Sequence, residues 1–183
     1  MKKVLLSYFV ILIFTCSCNR NDSKCTGVIC HNDGYCINGQ CVCQDGYTGA
    51  DCSRQITPTK IQITQIKVLR FPATKSNGAG WDLTSGPDIF PIFYKDNQKL
   101  WESPTYYEDA DQRYYYEFNC AINLNNPNDR YTVSLYDYDQ GTSDEFMGGI
   151  TFTPYNTTNN FPTTIRLDAG GTVAFDLVVN YSW

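Results

Sequence analysis

The stretch YDYDQGTSDEFMGG, Tyr136 to Gly149, places Asp137, Asp139, Asp144 and Glu145 in a short polar segment directly after a β-like run. A second acidic pair, Asp82 and Asp88, stands six positions apart in WDLTSGPDIF. Asp137 shares its parity with Val133 and Leu135, so in a strand it continues an inward-facing row beyond the core to the rim. Carboxylates converging at one rim raise one another's pKa values unless a cation sits among them. Calcium is the hard cation that takes six to eight oxygens from flexible loops. A calcium ion among Asp82, Asp88, Asp137, Asp139, Asp144 and Glu145 would therefore make their crowding tolerable.

Catalytic readings have less to work with. The single histidine, His31, lies in a cysteine-rich N-terminal segment and reads as an exposed loop residue. Without a histidine base further on, serine or cysteine hydrolysis has no residues to run on. Cys120 alternates with Phe118 and Ile122 in YYYEFNCAI, the pattern of a buried small side chain and not of a nucleophile. Two carboxylates suffice for a glycosidase, but a bound cation accounts for all of the acidic positions at once. No enzymatic activity is expected. The net charge of −5 excludes a nucleic-acid partner, which calls for a basic face.

Strands must position these loops. TVAFDLVVNY puts Val173, Phe175, Leu177, Val179 and Tyr181 on one face, and YYYEFNCAI does the same for Tyr114, Tyr116, Phe118, Cys120 and Ile122. KIQITQIKVLRF alternates through Ile61 and Ile63 and resumes at Ile66 and Val68, which places a bulge near Gln65. With IFPIFYK, KLWES, YTVSLYD, MGGITFTP and TTIRLD the strand count reaches about eight. Short strands separated by turn signals predict an antiparallel β-sandwich over residues 60–183. Ser53 to Thr59, SRQITPT, reads as a linker broken at Pro58.

On these two loops the segment from Lys60 to Trp183 resembles a C2 domain. D-LTSGP-D-IF resembles that family's first acidic loop, and YDYDQGTSDEFMG its Y-D-x-D loop. The resemblance implies calcium ligands at Asp82, Asp88, Asp137, Asp139 and Glu145, where the family more often carries Asp at the fifth position. It also implies phospholipid as a partner and a strand order of the family's type II. The apolar tip of the first loop is limited to Leu83, and the basic strand patch to Lys95 and Lys99. From Lys60 onward nine Lys and Arg stand against fifteen Asp and Glu, so this surface repels anionic lipid until a metal arrives. Aromatics in SPTYYEDADQRYYY, namely Tyr106, Tyr107 and Tyr115, with Trp81 or Trp101, offer stacking faces for a glycan or a protein.

The other end of the chain carries a different chemistry. MKKVLLSYFVILIFTCSC has two lysines, an apolar run too short to span a bilayer, then small residues and cysteine, the layout of a secretory signal. It resembles a lipobox of bacterial lipoproteins, which implies cleavage after residue 17 and acylation of Cys18, with Cys16 as the rival. Residues 18–24 would form a tether. Six cysteines follow, Cys25, Cys30, Cys36, Cys41, Cys43 and Cys52, in a segment with too little apolar residue to build a core. Fifteen pairings are open to them. CVCQDGYTGADC fits the C-x-C-x-x-G-Y-x-G-x-x-C signature, and residues 25–52 resemble an EGF-like domain. That resemblance implies the pairing Cys25–Cys36, Cys30–Cys41 and Cys43–Cys52.

The expectation is therefore a mainly β, exported, membrane-anchored protein of the cell surface or periplasm. An EGF-like module would hold a calcium-binding C2-like sandwich that takes phospholipid, glycan or protein. The alternatives are a structural subunit with weak or no calcium binding and, last, a carbohydrate-active enzyme.

Overall fold

The computed structural model describes residues 23–82 and 85–183. The signal segment, Cys16, Cys18 and Leu83 lie outside the described residues.

The N-terminal module is a stack of two small hairpins. β1 (Tyr35–Ile37) and β2 (Gln40–Val42) pair across Asn38-Gly39, whose φ angles of 52° and 87° are both positive. A two-residue turn of that kind matches the twist of a hairpin, and Asn-Gly is the sequence that adopts it most readily. β3 (Tyr47–Thr48) pairs with β4 (Arg54–Gln55). Three disulfides, Cys25–Cys36, Cys30–Cys41 and Cys43–Cys52, close the module. Cys36 and Cys41 stand opposite each other in the first hairpin, yet each reaches a different cysteine of the preceding segment. Between residues 23 and 52 only Gly46 and Cys52 are buried. Covalent bonds take the place of a core here.

Eight further strands form the sandwich. They are β5 (Lys60–Arg70), β6 (Ile89–Lys95), β7 (Gln98–Glu102), β8 (Tyr116–Leu124), β9 (Tyr131–Asp137), β10 (Glu145–Phe152), β11 (Thr164–Leu167) and β12 (Ala174–Ser182). One sheet has the order β10-β9-β6-β7 and the other β11-β12-β5-β8, with every pairing antiparallel. β5 shows the register shift between Ile63 and Gln65 that its broken alternation predicts. Ile61 and Ile63 before the shift, and Ile66 and Val68 after it, are all fully buried. They pack in one cluster with Phe93, Val133, Leu135, Phe175, Leu177 and Val179. Burying such side chains contributes roughly 1.5–3 kcal/mol each, which is what holds the two sheets together. Two residues on the β8 face differ from their expected burial. Tyr114 precedes the strand and is exposed, and Cys120 is half-buried, its Sγ 3.5 Å from the Ile63 carbonyl. Burial still pushes the Cys120 thiol up to about 11, so it stays protonated at neutral pH.

The segment between the two modules is ordered along its length. Arg54 and Gln55 belong to β4, the Ile56 amide donates to the Gly46 carbonyl (2.9 Å), Pro58 is buried, and the Thr59 amide donates to the Ser182 carbonyl (2.8 Å). The reason lies in what the EGF-like module rests on. Tyr47 meets the Phe161 ring edge-on at 5.3 Å, and Gln55 Nε2 donates to Asn160 Oδ1 at 2.9 Å. Phe161 in turn contacts Tyr155, Tyr181 and Trp183. Asn160 and Phe161 both hold positive φ, 54° and 48°. A bulky residue adopts that conformation only where its surroundings over-determine it.

Gly46 is the closest point of this joint. A Cβ there would lie 2.5 Å from Trp183 Cζ2 and 2.8 Å from Phe161 Cε2, at a φ of +87°. Gly46→Ala is expected to destabilise the protein by about 1–3 kcal/mol and to open residues 53–59 to protease. Denaturant unfolding and limited proteolysis check this. An unchanged cleavage pattern would show that the contact does not hold the modules together.

Candidate metal centre

β9 ends and β6 begins at the same rim, where Ile89 lies opposite Asp137 in the ladder. The Asp88 amide donates to Asp137 Oδ1 at 2.6 Å, and the Tyr138 amide returns a bond to the Asp88 carbonyl at 2.8 Å. These two bonds lock the end of the first acidic loop, at Asp88, to the end of β9 and the start of the second loop. Opposite Asp137 on the other side stands Glu145, the first residue of β10.

The inward parity of Val133, Leu135 and Asp137 has its consequence here: Asp137 has no exposed surface at all. Carboxylate oxygens of Asp82, Asp137 and Asp139 lie within 4.8 Å of one another. While Oδ1 of Asp137 is taken by the Asp88 amide, its Oδ2 is buried with no hydrogen-bond partner among the described residues. An ionised oxygen left in this state is costly. Burial, together with the charges of Asp82, Asp139 and Asp88, pushes the Asp137 carboxyl up to about 6, against the opposing pull of the Asp88 amide. Burial also raises Asp82, with Asp88, Asp139 and Asp109 adding to it. An unpartnered buried oxygen on one of three converging carboxylates fits a hard cation with several oxygen ligands.

The remaining expected ligands sit around this trio. Asp88 Oδ1 accepts from the Asp109 amide (3.0 Å), which brings the β7–β8 connection to the rim. Asp144 Oδ1 lies 3.3 Å from the Asp139 amide and closes the β9–β10 turn. Glu145 forms an ion pair with Lys75.

Two residues at the rim escape a reading based on acidic spacing. Lys75 is one, although it is the only basic residue between Phe71 and Asp88 and so carries a signal. Asp109 is the other; its signal is the acidic turn EDAD. The basic residues that the sequence does single out are already engaged, Lys95 with Asp129 at 2.7 Å and Lys99 with Glu102.

Of the aromatics, Trp81 belongs to the loop's own scaffold, since it is 9% exposed and its Nε1 donates to the Pro72 carbonyl at 2.8 Å. Tyr107 packs on Tyr116 and Phe118 and donates its hydroxyl to the Glu117 carbonyl. Tyr115 lies under the Lys67 ammonium, 4.5 Å from the ring centroid, and Trp101 is half-buried. Tyr106 stacks on Tyr138 at 4.5 Å beside a cleft lined by Phe90, Ser103 and Asp144. Phe146, next to Glu145, is 58% exposed.

Among known families, residues 22–52 match the model of the EGF-like domain. No curated protein matches the chain. Among solved structures the chain is similar to C2 domain A of a plant extended synaptotagmin 1, at 17% identity over 69% of this chain and 97% of that one, with a TM-score of 0.46. It is also similar to human GIVD cytosolic phospholipase A2 at 15% identity, over 67% of this chain and 16% of that one, with a TM-score of 0.43. The same enzyme in complex with methyl gamma-linolenyl fluorophosphonate inhibitor and terbium chloride gives 15% identity, 68% and 17% coverage, and a TM-score of 0.44. The chain thus spans about a sixth of the phospholipase.

Proposed function

We propose that the protein is a non-enzymatic, exported binding protein whose sandwich behaves as a calcium-dependent C2-like domain. One observation carries the reading: carboxylate oxygens of Asp82, Asp137 and Asp139 lie within 4.8 Å of one another, and among the described residues the buried Asp137 Oδ2 has no hydrogen-bond partner. Asp88, Asp144 and Glu145 stand ready to complete or support the set. Calcium would neutralise the cluster and turn an acidic rim into one that accepts an anionic or hydroxyl-rich partner. Phospholipid, glycan and protein are the partner classes, with exposed Phe146 and the Tyr106–Tyr138 stack as flanking contacts. Disulfides support export, since they persist in oxidising compartments. The lipoprotein-type signal adds a membrane anchor at Cys18.

Binding to the native state alone adds RT ln(1 + [L]/Kd), about 1.4 kcal/mol at tenfold saturation, a midpoint shift of a few degrees. Millimolar calcium should therefore raise the melting temperature over chelator, and Asp139→Asn should abolish the rise. Vesicles and glycan arrays with calcium present then identify the partner class. No shift in the wild type would move the protein to the role of a structural subunit.

A further inference from the structure

Lys75 is built into the loop that carries Asp82. Its amide donates to the Ala79 carbonyl and its carbonyl accepts from the Gly78 amide, both at 2.9 Å, so its backbone is fixed in a closed turn. Asn77 Oδ1 reinforces that turn by accepting from the Ala79 amide at 3.0 Å. The ammonium lies 5.8 Å from the centroid of the Trp81 ring, itself tied to Pro72, and pairs with Glu145. Its side chain is 27% exposed. Asp139 and Asp137 add to the negative field in which it sits. The loop thus delivers a cation of its own to the edge of a carboxylate cluster.

Such a cation acts against a metal in two ways. It adds a positive charge beside the seat of a dication, and it occupies a carboxylate that the dication would use. We propose that Lys75 is a resident counter-ion that competes with calcium, holding Glu145 out of the ligand set until metal entry expels the ammonium. The inference rests on the metal-binding reading above and goes beyond it by naming what sets the calcium threshold. Without metal, Lys75 offsets part of the repulsion among the carboxylates. With metal, it is released at the rim beside Ser76, Asn77 and Phe146, which line the same cleft.

Calorimetric titration of the full chain, disulfides intact, with calcium chloride tests this. A unit charge several ångströms from a dication at a solvated site changes binding by about tenfold, so Lys75→Gln should bind calcium about tenfold more tightly than the wild type. Lys75→Arg should bind as the wild type does. Adding Glu145→Gln to Lys75→Gln should remove most of the gain, because the released carboxylate is then no longer available. A wild type that is silent up to about 10 mM calcium, well above the range of weak extracellular sites, beside a Lys75→Gln variant that binds would support the block by Lys75 and overturn calcium binding by the native protein. Wild-type binding with no gain in Lys75→Gln overturns the proposal and leaves the metal site standing. A gain that survives in the double variant overturns the hold on Glu145. Silence in every variant overturns both readings.

Discussion

Asp137→Asn is expected to stabilise the protein in chelator at pH 7.5 by up to about 3 kcal/mol and to remove a pH dependence between roughly pH 4 and pH 6. In the wild type the folded carboxyl titrates at about 6, above its ordinary value of 3.8. The native state therefore holds a proton that the unfolded chain releases. Stability from this group is present in full below about pH 4 and is lost as pH rises through about 6. At neutral pH the buried carboxylate opposes folding. Asparagine keeps an oxygen for the Asp88 amide and puts an uncharged donor at the position of Oδ2, in a group of three carboxylates. Asp111, held down to about 2 by Arg113, and Asp168, held down by Arg70, follow the opposite trend. They are common to both proteins, so the difference between the two urea curves isolates Asp137. In saturating calcium the order should reverse, with the wild type the more stable. Parallel pH profiles in chelator would show that Asp137 is not strained in the folded state.

Converting Cys43 and Cys52 together to alanine should cost about 3 kcal/mol and unfold the EGF-like module while the sandwich persists. The bond closes a loop with a sequence separation of 9, and loop-closure entropy alone accounts for about that amount. No core exists to compensate, since only Gly46 and Cys52 are buried between residues 23 and 52. The same loop carries Gly46 and Tyr47, the residues that rest on Trp183 and Phe161. Loss of the bond should therefore also undock the module, giving rapid cleavage before Lys60 and a separate melting transition for the sandwich. A variant as protease-resistant as the wild type would show that the joint holds the loop without its staple.

What the sequence made legible follows from period. A two-residue repeat marks the buried face of β12, and its interruption marks the bulge in β5 at Gln65. The same repeat, extended by one step from Leu135, identifies Asp137 as a carboxylate aimed inward, and its complete burial follows. Contacts between loops carry no period. The Lys75–Glu145 pair joins positions 70 apart in sequence through the way two turns fold over the rim. The docking of Tyr47 on Phe161 is equally unmarked, because an aromatic in a polar loop looks the same whether it packs on its own domain or on a neighbour. That is why SRQITPT reads as a linker and yet is ordered. Turn residues between strands announce only that the chain reverses.

β5 starts at Lys60, paired with Ser182 beside the inter-module joint, and ends at Arg70, paired with Ala174, where the chain leaves for the acidic loop. The joint and the carboxylates thus lie at opposite ends of the sandwich, separated by about 35 Å of strand. A tension between the N-terminal module and a partner held at the rim would run along the strands. Loaded in that direction, the hydrogen bonds of β5 to β12 and β8 share the pull in shear, instead of parting one after another as they would if peeled from an end.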